Sequence, residues 1–215
     1  INPMNKQVLG SVGKPMGDVE VKFGEDGEIF IRSAALFYGY YKNPEETNNV
    51  LSEDGWFSTG DIGEFNAQGF LRITDRKKDI IITSAGKNVA PQKLENMLKL
   101  GRYISQVMVI GNQQKYLTAL ISVEFESFLD ILKDLDISRS TPLKDLINRP
   151  EICQLIQEDI DKTNEQLASF ESIKKFRIVP VEITTDNYLT PSLKLKKKLL
   201  FRDFKSLIEG MYKGS

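Results

Sequence analysis

The chain has 215 residues, a formal net charge of −1 and no histidine. Its balance of 40% apolar and 27% charged residues is that of an ordinary globular protein, and its charge gives no electrostatic case for a nucleic-acid partner. Without an imidazole, the chain cannot supply a Ser-His hydrolytic pair, a histidine metal ligand or a histidine acid–base catalyst.

Cys153 is the single cysteine, which excludes an intrachain disulfide and suits a reducing, cytosolic setting. Its neighbours Ile152, Leu155 and Ile156 have helical spacing, so a buried structural thiol is favoured over a nucleophile. No apolar run approaches the ~20 residues that span a bilayer, and no secretory leader opens the chain. We therefore expect a cytoplasmic protein. Because the chain begins without Met and reads like the interior of a longer protein, we also expect a fragment.

The first third of the chain is predicted to be rich in β structure. Residues 19–23 and 28–32 alternate polar and apolar side chains, and turn residues separate them. Asn43 followed by Pro44 and two acids predicts a helix start, with that helix ending near Leu51.

A second pair of strands is predicted at residues 56–65 and 70–74, joined by a loop at 66–69. Five consecutive charged residues follow at 75–79. Because a buried strand would not tolerate them, we expect an exposed connection and a change of domain there.

The remainder is predicted to alternate between strands and helices, which indicates an α/β domain. In chain order we expect a strand at 80–82, a loop from 84 to a helix that starts at Pro91 and ends near Leu100, strands at 107–110 and 117–123, mainly helical structure at 124–170, a strand at 173–181, and one final helix with Leu200, Phe204, Leu207, Ile208 and Met211 on one face.

Four segments carry a family resemblance when they are taken together and in this order. They are DGEIFIRSAALFYGYYKNPEET, GWFSTGDIGEF, GFLRITDRKKDIIITSAGKNVAPQKLEN and LTPSLKLKKKLL. Each alone is weak, but the set resembles the adenylate-forming ligases, which include acyl-CoA synthetases, luciferases and peptide-synthetase adenylation domains. The long helical stretch and the last motif resemble the bacterial long-chain fatty acyl-CoA synthetases.

The resemblance implies a nucleotide site. Asp61 matches the aspartate that holds the ribose of ATP, since a carboxylate can accept hydrogen bonds from both hydroxyls of a diol. Gly60 permits close backbone approach, with Thr59 beside it, and Arg76 matches an arginine that also reaches the ribose. Ile73 matches an apolar side chain laid against the nucleotide. From the residues alone, Asp61 could instead be a turn aspartate, Arg76 a solvated charge and Ile73 a core residue.

The resemblance also implies a hinge, a coenzyme A loop and a catalytic lysine. Lys78 matches the hinge about which the C-terminal domain turns between half-reactions. Ser84, Ala85, Gly86 and Lys87 match the loop that faces the pantetheine arm of CoA. Lys194 matches the lysine that stabilises charge in acyl adenylate formation, although Lys196, Lys197 and Lys198 leave its register open, and the run could be only a basic patch. Many relatives have Gly where this chain has Leu193.

The expected fold is α/β (α+β): residues 1–76 form the β-rich end of a large N-terminal domain, residues 77–79 the hinge, and residues 80–215 a small C-terminal domain with a mixed sheet and packed helices. The implied activity is AMP-forming ligation of a fatty acid to CoA with ATP. No Walker-type phosphate loop is present, so Mg²⁺ ligands, the acyl pocket and the rest of the N-terminal domain are expected upstream, and this chain alone is expected to be inactive. No metal site is expected within it.

Three alternatives stay open at this point. The chain could be a non-catalytic interaction module, or part of a ligase that uses another acid or a carrier-protein acceptor. Lys196, Lys197, Lys198, Arg202 and Lys205 could also touch anionic lipid, which would add a peripheral position at the inner membrane to the cytoplasmic one.

Overall fold

A computed structural model describes residue 2 and residues 7–213. The chain divides into two compact units, Ile1–Ile80 and Ile81–Ser215. Among the described residues, none of the helices has the length and apolar character needed to cross a lipid bilayer.

The first unit is built on a four-stranded antiparallel sheet. Strands β1 (Glu20–Phe23), β2 (Glu28–Arg32), β3 (Phe57–Phe65) and β4 (Leu71–Arg76) lie side by side in that order. The strands predicted at 19–23, 28–32, 56–65 and 70–74 are confirmed, with ends that differ by at most two residues.

Helix α1 (Pro44–Val50) connects β2 to β3 and begins as predicted. The side chain of Asn43 accepts a hydrogen bond from the backbone N–H of Glu46 at 3.1 Å, and Pro44 occupies the first turn, where its missing N–H costs nothing.

The prediction that residues 75–79 are a wholly exposed connection is wrong at its start. Asp75 and Arg76 belong to β4, because pairing with β3 continues through both residues. Asp75 is buried, and its carboxylate accepts a hydrogen bond from the N–H of Arg76 at 2.7 Å. Arg76 and the following 3₁₀ turn, Lys77–Asp79, are exposed.

The second unit contains a short hairpin and a three-stranded mixed sheet. Strands β5 (Ile81–Ile82) and β6 (Asn88–Val89) form the hairpin. Strands β7 (Ile104–Ile110), β8 (Leu117–Val123) and β9 (Ile173–Ile178) form the sheet in that order. β7 and β8 are antiparallel, whereas β8 and β9 are parallel.

Six helices cover the two faces of this mixed sheet. They are α2 (Pro91–Leu98), α3 (Leu129–Asp134), α4 (Leu143–Leu146), α5 (Pro150–Asn164), α6 (Lys197–Asp203) and α7 (Lys205–Tyr212). Because successive strand residues point to opposite faces, Val107 and Val109 pack into the cluster under α2, α3 and α5, while Met108 packs into the cluster under α6 and α7. The predicted α/β class, with a mixed sheet and packed helices, is confirmed.

The prediction of one final helix is wrong. The chain leaves helical geometry at Phe204, with φ −108° and ψ 22°, so two short helices replace one long helix. The predicted apolar face is nevertheless used, since Leu200, Ile208 and Met211 are all buried in the same cluster.

Two glycines provide a test of this packing. A methyl group at Gly63 would strike the backbone carbonyl oxygen of Arg72 and approach Ile29 Cδ1 to 2.7 Å. We expect Gly63→Ala to destabilise the first unit by about 1–3 kcal/mol. Urea unfolding followed by the fluorescence of Trp56, the sole tryptophan, measures this unit directly.

Gly210→Ala is the matched control, because Gly210 lies inside α7 with open space around it. It should stabilise the second unit by about 0.5–1 kcal/mol, since alanine loses less conformational entropy in a helix. An unchanged midpoint for Gly63→Ala would show that the sheet relaxes around the added methyl group.

Candidate functional site

A bulge in β3 presents residues Thr59–Gly60–Asp61 at the edge of regular pairing. The register against β2 shifts there, so β3 has more residues than its partner over the same length. Gly60 has φ +68°, and a side chain built on it would meet nothing within 4 Å. The position therefore needs glycine for its backbone angle and leaves open space beside the main chain.

A buried glutamate holds this bulge in place. Glu28 is 3% exposed and accepts hydrogen bonds from Gly60 N–H at 3.1 Å, from the hydroxyl of Ser58, and from Lys77 Nζ at 2.6 Å. Lys77 Nζ also lies 2.8 Å from an Asp26 carboxylate oxygen. Burial raises the pKa of Glu28, but hydrogen bonds from Lys77, Ser58 and Gly60 outweigh it and leave that pKa lowered.

Asp61 and Arg76 are brought together as direct cross-strand partners. In β4, Ile73 pairs with Gly63 and Asp75 pairs with Ile62, so Thr74 is an extra residue between them. Arg76 Nε lies 2.7 Å from Asp61 Oδ1, and the two side chains are 57% and 19% exposed. A carboxylate and a guanidinium thus form an ion pair at this position in the sheet.

The groups predicted to contact the nucleotide differ in whether the protein already occupies them. The hydroxyl of Thr59 donates to Ile29 C=O at 2.7 Å and accepts from Asp61 N–H at 3.1 Å, so it shapes the bulge. Ile73 is 46% exposed, which is unusual for a strand isoleucine with only a packing role. Within the described part of the chain, Asp61 Oδ2 has no hydrogen-bond partner.

The predicted hinge residue lies just beyond the last anchored side chain. Lys77 is tied to Glu28 and Asp26, whereas the side chain of Lys78 is exposed and makes no ion pair among the described residues. The compact units separate after Ile80.

The predicted CoA loop is a tight, exposed turn in the second unit. Ser84, Ala85, Gly86 and Lys87 are all exposed, and Gly86 has φ +72°. Buried Thr83 closes the turn: its N–H donates to the carbonyl of Lys87 at 3.0 Å, and its hydroxyl accepts from the N–H of Lys87 at 3.1 Å. The turn therefore presents backbone groups at a fixed position.

Lys194 stands on a closed turn between Leu189 and Leu195, which form an isolated antiparallel bridge. Thr190 N–H donates to Lys194 C=O at 2.8 Å, and Lys194 N–H donates to the Thr190 hydroxyl at 3.0 Å. The Lys194 side chain is exposed, and its ammonium makes no hydrogen bond or ion pair among the described residues. Its backbone is thus fixed while its charge is free.

The neighbouring lysines are used differently, which bears on the register of the basic run. Lys196 Nζ donates to Asn187 C=O at 2.9 Å. Lys197 Nζ lies 2.8 and 2.9 Å from the two carboxylate oxygens of buried Glu95. Of the four lysines in this run, Lys194 and Lys198 have ammonium groups without such contacts to the described residues. Of these two, Lys194 is the one that lies on the turn.

Leu193 adopts the backbone conformation that glycine prefers. Its φ is +59°, in the left-handed region, and this is the position where the sequence departs from the Gly of many relatives. The turn therefore places a residue with a Cβ in the left-handed region, which strains the backbone at Leu193.

Cys153 is half-buried, and burial raises the pKa of its thiol. Its Sγ lies 3.3 Å from Ile147 C=O. This environment supports the structural role predicted for it. Across residues 7–213, no cluster of three or more Cys, Asp or Glu side chains is placed to hold a metal ion.

Sequence reasoning missed Glu28, Lys77, Glu95 and Lys197. Glu95 had a visible signal: with Pro91, Leu94 and Leu98 it forms the buried face of α2, and an acid on an apolar helix face requires a partner. Glu28 had no such signal, because an acid at the start of a strand is ordinary.

The Glu28 cluster predicts how the first unit responds to acid. The pKa of Asp26 is lowered chiefly by its hydrogen bond from Lys77, and that of Glu28 is lowered as well. Stability from lowered carboxyl pKa values is present above the ordinary glutamate pKa of about 4.5 and is lost as the pH falls through the lowered values. Glu28→Gln should cost about 1–3 kcal/mol at pH 7, and this cost should shrink below about pH 4.

The measurement is urea unfolding by Trp56 fluorescence between pH 7 and pH 3. Glu20→Gln is the control, since it breaks an exposed ion pair with Arg32 in the same sheet and should have a much smaller effect. A Glu28→Gln cost that did not change with pH would contradict the assignment of charge to Glu28.

Leu193 gives a second prediction. Leu193→Gly should change the stability of the second unit by less than about 1 kcal/mol, because relief of the left-handed strain offsets glycine's entropy. Leu193→Val should destabilise it by about 1–2 kcal/mol, because a β-branched residue fits this region poorly. Urea unfolding by far-ultraviolet circular dichroism compares them, and equal effects would contradict a strained turn.

Comparison with known proteins shows the family to which the chain belongs. Residues 78–215 match the family described as AMP-binding enzyme C-terminal domain. The long-chain-fatty-acid–CoA ligase FadD15 of Mycobacterium tuberculosis is 38% identical over 99% of this chain and 35% of its own length. Long-chain-fatty-acid–CoA ligase 5 of Mus musculus is 34% identical over 88% of this chain and 28% of its own length. The chain thus spans about a third of the curated relatives it matches.

A solved structure shows the same fold. The adenylation domain of a carboxylate reductase from Mycobacterium chelonae superposes with a TM-score of 0.71 and 25% identity, over 93% of this chain and 31% of that one. The chain belongs to the AMP-binding enzyme family, and residues 78–215 are its C-terminal domain.

Proposed function

We propose that this chain is the C-terminal part of an AMP-forming long-chain fatty-acid–CoA ligase. In the first half-reaction, a carboxylate oxygen of the fatty acid bonds to the α-phosphorus of ATP, and pyrophosphate leaves. In the second, the CoA thiol bonds to the acyl carbon, and AMP leaves. The observation that carries the proposal is the free ammonium of Lys194 on a closed turn, in a chain whose curated relatives are such ligases.

Asp61 is proposed to hold the ribose diol of ATP and AMP. One carboxylate oxygen is oriented by Arg76 at 2.7 Å, and the other is available to accept from a hydroxyl. Gly60 and Thr59 keep the backbone bulged beside it, so that a planar group can approach closely. Exposed Ile73 is proposed to cover the apolar face of the nucleotide.

Lys194 is proposed as the electrostatic catalyst of adenylation. Negative charge increases on the phosphoryl oxygens as the acid oxygen attacks, and an ammonium placed there lowers the barrier. A free charge on a fixed backbone suits this role, because the turn sets the direction while the side chain reaches the reacting atoms.

Lys78 is proposed as the hinge between the two half-reactions, with residues 1–76 and 80–215 as the domains and 77–79 between them. The support is that side-chain anchoring ends at Lys77 and that Lys78 is exposed. The turn formed by Ser84, Ala85, Gly86 and Lys87 is proposed to face the pantetheine arm of CoA in the second half-reaction, since its backbone is exposed and Gly86 admits close approach.

Mg²⁺ ligands and the acyl pocket are proposed to lie in the part of the relatives that this chain does not span. The basic segment offers little charge to an anionic lipid surface, because most of its cations have internal partners. Arg202 pairs with Asp203 at 2.7 Å and Lys205 with Glu209 at 3.6 Å, which leaves Lys198 as the free cation of that segment beyond the turn, within the described residues.

The test is Lys194→Ala in the enzyme that carries this chain. Fatty-acid-dependent ATP–pyrophosphate exchange should fall roughly 10²–10³-fold, because a charge made for the transition state is lost. Thioester formation from supplied acyl-AMP and CoA should stay within about threefold.

Lys198→Ala is the matched control, since it removes the same charge from the same run outside the turn. It should leave both half-reactions near wild type. If Lys194→Ala also left exchange intact, the proposed role of Lys194 would be wrong. An enzyme without fatty-acid-dependent exchange would refute the proposed function itself.

A further inference from the structure

A buried ion pair in the second unit joins two segments that lie far apart in sequence. Glu95, on α2, is 2% exposed, and its carboxylate oxygens lie 2.8 and 2.9 Å from Lys197 Nζ. The two residues are 102 positions apart. Glu95 Oε1 also accepts a hydrogen bond from Val109 N–H on β7 at 3.0 Å, so the carboxylate is fixed to both the helix and the sheet.

Lys197 is the first residue of α6 and follows the Lys194 turn directly. A cation at the start of a helix opposes the helix dipole, so its placement there depends on a counter-charge. Glu95 supplies that charge at the point where the turn ends and the helix begins. The Lys197 side chain is 38% exposed and the Glu95 side chain 3%, so the pair is anchored from the buried side.

Most polar contacts of the Lys194 turn are local. Thr190 bonds to Lys194, and Lys196 bonds to Tyr188 through its N–H and to Asn187 through its side chain. Such bonds fix the shape of the turn, while Tyr188 and Leu195 on its flanks pack against the apolar cluster that contains Met108 and Leu120. Within the described part of the chain, the Lys197–Glu95 pair is the side-chain hydrogen bond that ties this segment to the central sheet and α2.

We propose that Glu95 is a positioning residue for the adenylation step: by holding Lys197 against β7 and α2, it fixes where the turn places Lys194. The inference rests on the proposed function of Lys194. It adds a second requirement, namely that charge stabilisation in adenylation needs this buried pair as well as the free ammonium.

The effect of the ion pair on Lys194 follows from the short chain segment between Lys194 and Lys197. Lys197 is three residues beyond Lys194, so a displacement of the start of α6 is carried into the turn. A misplacement of about 1 Å at a catalytic group can lower a rate by roughly 10²-fold. Substrate binding depends on other residues, so the effect should appear in kcat for ATP–pyrophosphate exchange and leave KM for ATP nearly unchanged.

The test compares Glu95→Gln and Lys197→Met with wild type in the enzyme that carries this chain. We expect exchange kcat to fall roughly tenfold to a hundredfold, KM for ATP to change less than about twofold, and thioester formation from acyl-AMP to change less than about threefold. Hydrogen–deuterium exchange should be roughly tenfold faster in peptides covering residues 188–198, with little change in β8. Lys197→Arg should restore most of the exchange rate, because it keeps the charge.

Lys93→Met is the matched control. Lys93 lies on α2, the helix that carries Glu95, and its ammonium forms a 3.4 Å ion pair with Glu171. The substitution breaks this pair and removes a lysine charge without touching the turn. It should leave both half-reactions and the exchange of residues 188–198 unchanged. Glu95→Gln keeps the test valid if Lys197→Met does not fold, since it removes the buried charge and leaves the more exposed lysine without its partner.

Three results would overturn the proposal. Unchanged hydrogen exchange at residues 188–198 in both variants would show that the pair does not anchor the turn. Faster hydrogen exchange with normal pyrophosphate exchange would show that anchoring does not matter to Lys194. Equal losses in both half-reactions would indicate a general structural role. Failure of the proposed function would appear separately, as a wild-type enzyme without fatty-acid-dependent exchange.

Discussion

A carboxylate removed from water must be given hydrogen-bond donors, and this requirement organises both units. Glu28 and Glu95 are 3% and 2% exposed. Each recruits a lysine from a distant segment, 49 residues away for Glu28 and 102 for Glu95. An unpaired charge at either position would be expensive, so the segments that carry the lysines are held where the glutamates need them.

The segments fixed in this way are those with little core of their own. Lys77 lies in a three-residue 3₁₀ turn without buried residues. Lys197 begins α6, in which Leu200 is the buried residue. Hydrophobic burial alone would position such short elements loosely, since it has no direction. A bidentate or doubly hydrogen-bonded charge pair has a defined direction. It therefore also fixes the position of the exposed groups next to it.

The fold could be predicted from sequence where one local pattern determines it. Strand alternation in residues 28–32 and the Asn43–Pro44 helix start were sufficient, because pleating and capping are decided within a few residues. The break at Phe204 was not predictable, because phenylalanine gives no helix-stop signal of the kind that glycine or proline gives.

The candidate site was predictable in its residue types and not in its pairings. The sequence pointed to Asp61 and Arg76 separately, but their contact depends on where Thr74 interrupts the ladder. It also left several lysines open. Lys194 stands out only after Lys196 and Lys197 are seen to have partners, and one of those partners lies on a helix whose amphipathic pattern gave no indication of which lysine it would bind. Long-range partners of this kind are not encoded in local periodicity.

The bulge at Thr74 has a consequence for the register of this sheet. If β4 paired regularly through Thr74 without the bulge, Ile62 would lie opposite Thr74, and Asp61 would lie opposite Asp75 instead of Arg76. Two carboxylates would then face each other across the strands at roughly 5 Å, where like charges repel. Such a pair would attract a hard divalent cation rather than orient a sugar diol. The bulge at Thr74 therefore decides which chemical class of ligand this surface favours, with the same residues present on both strands.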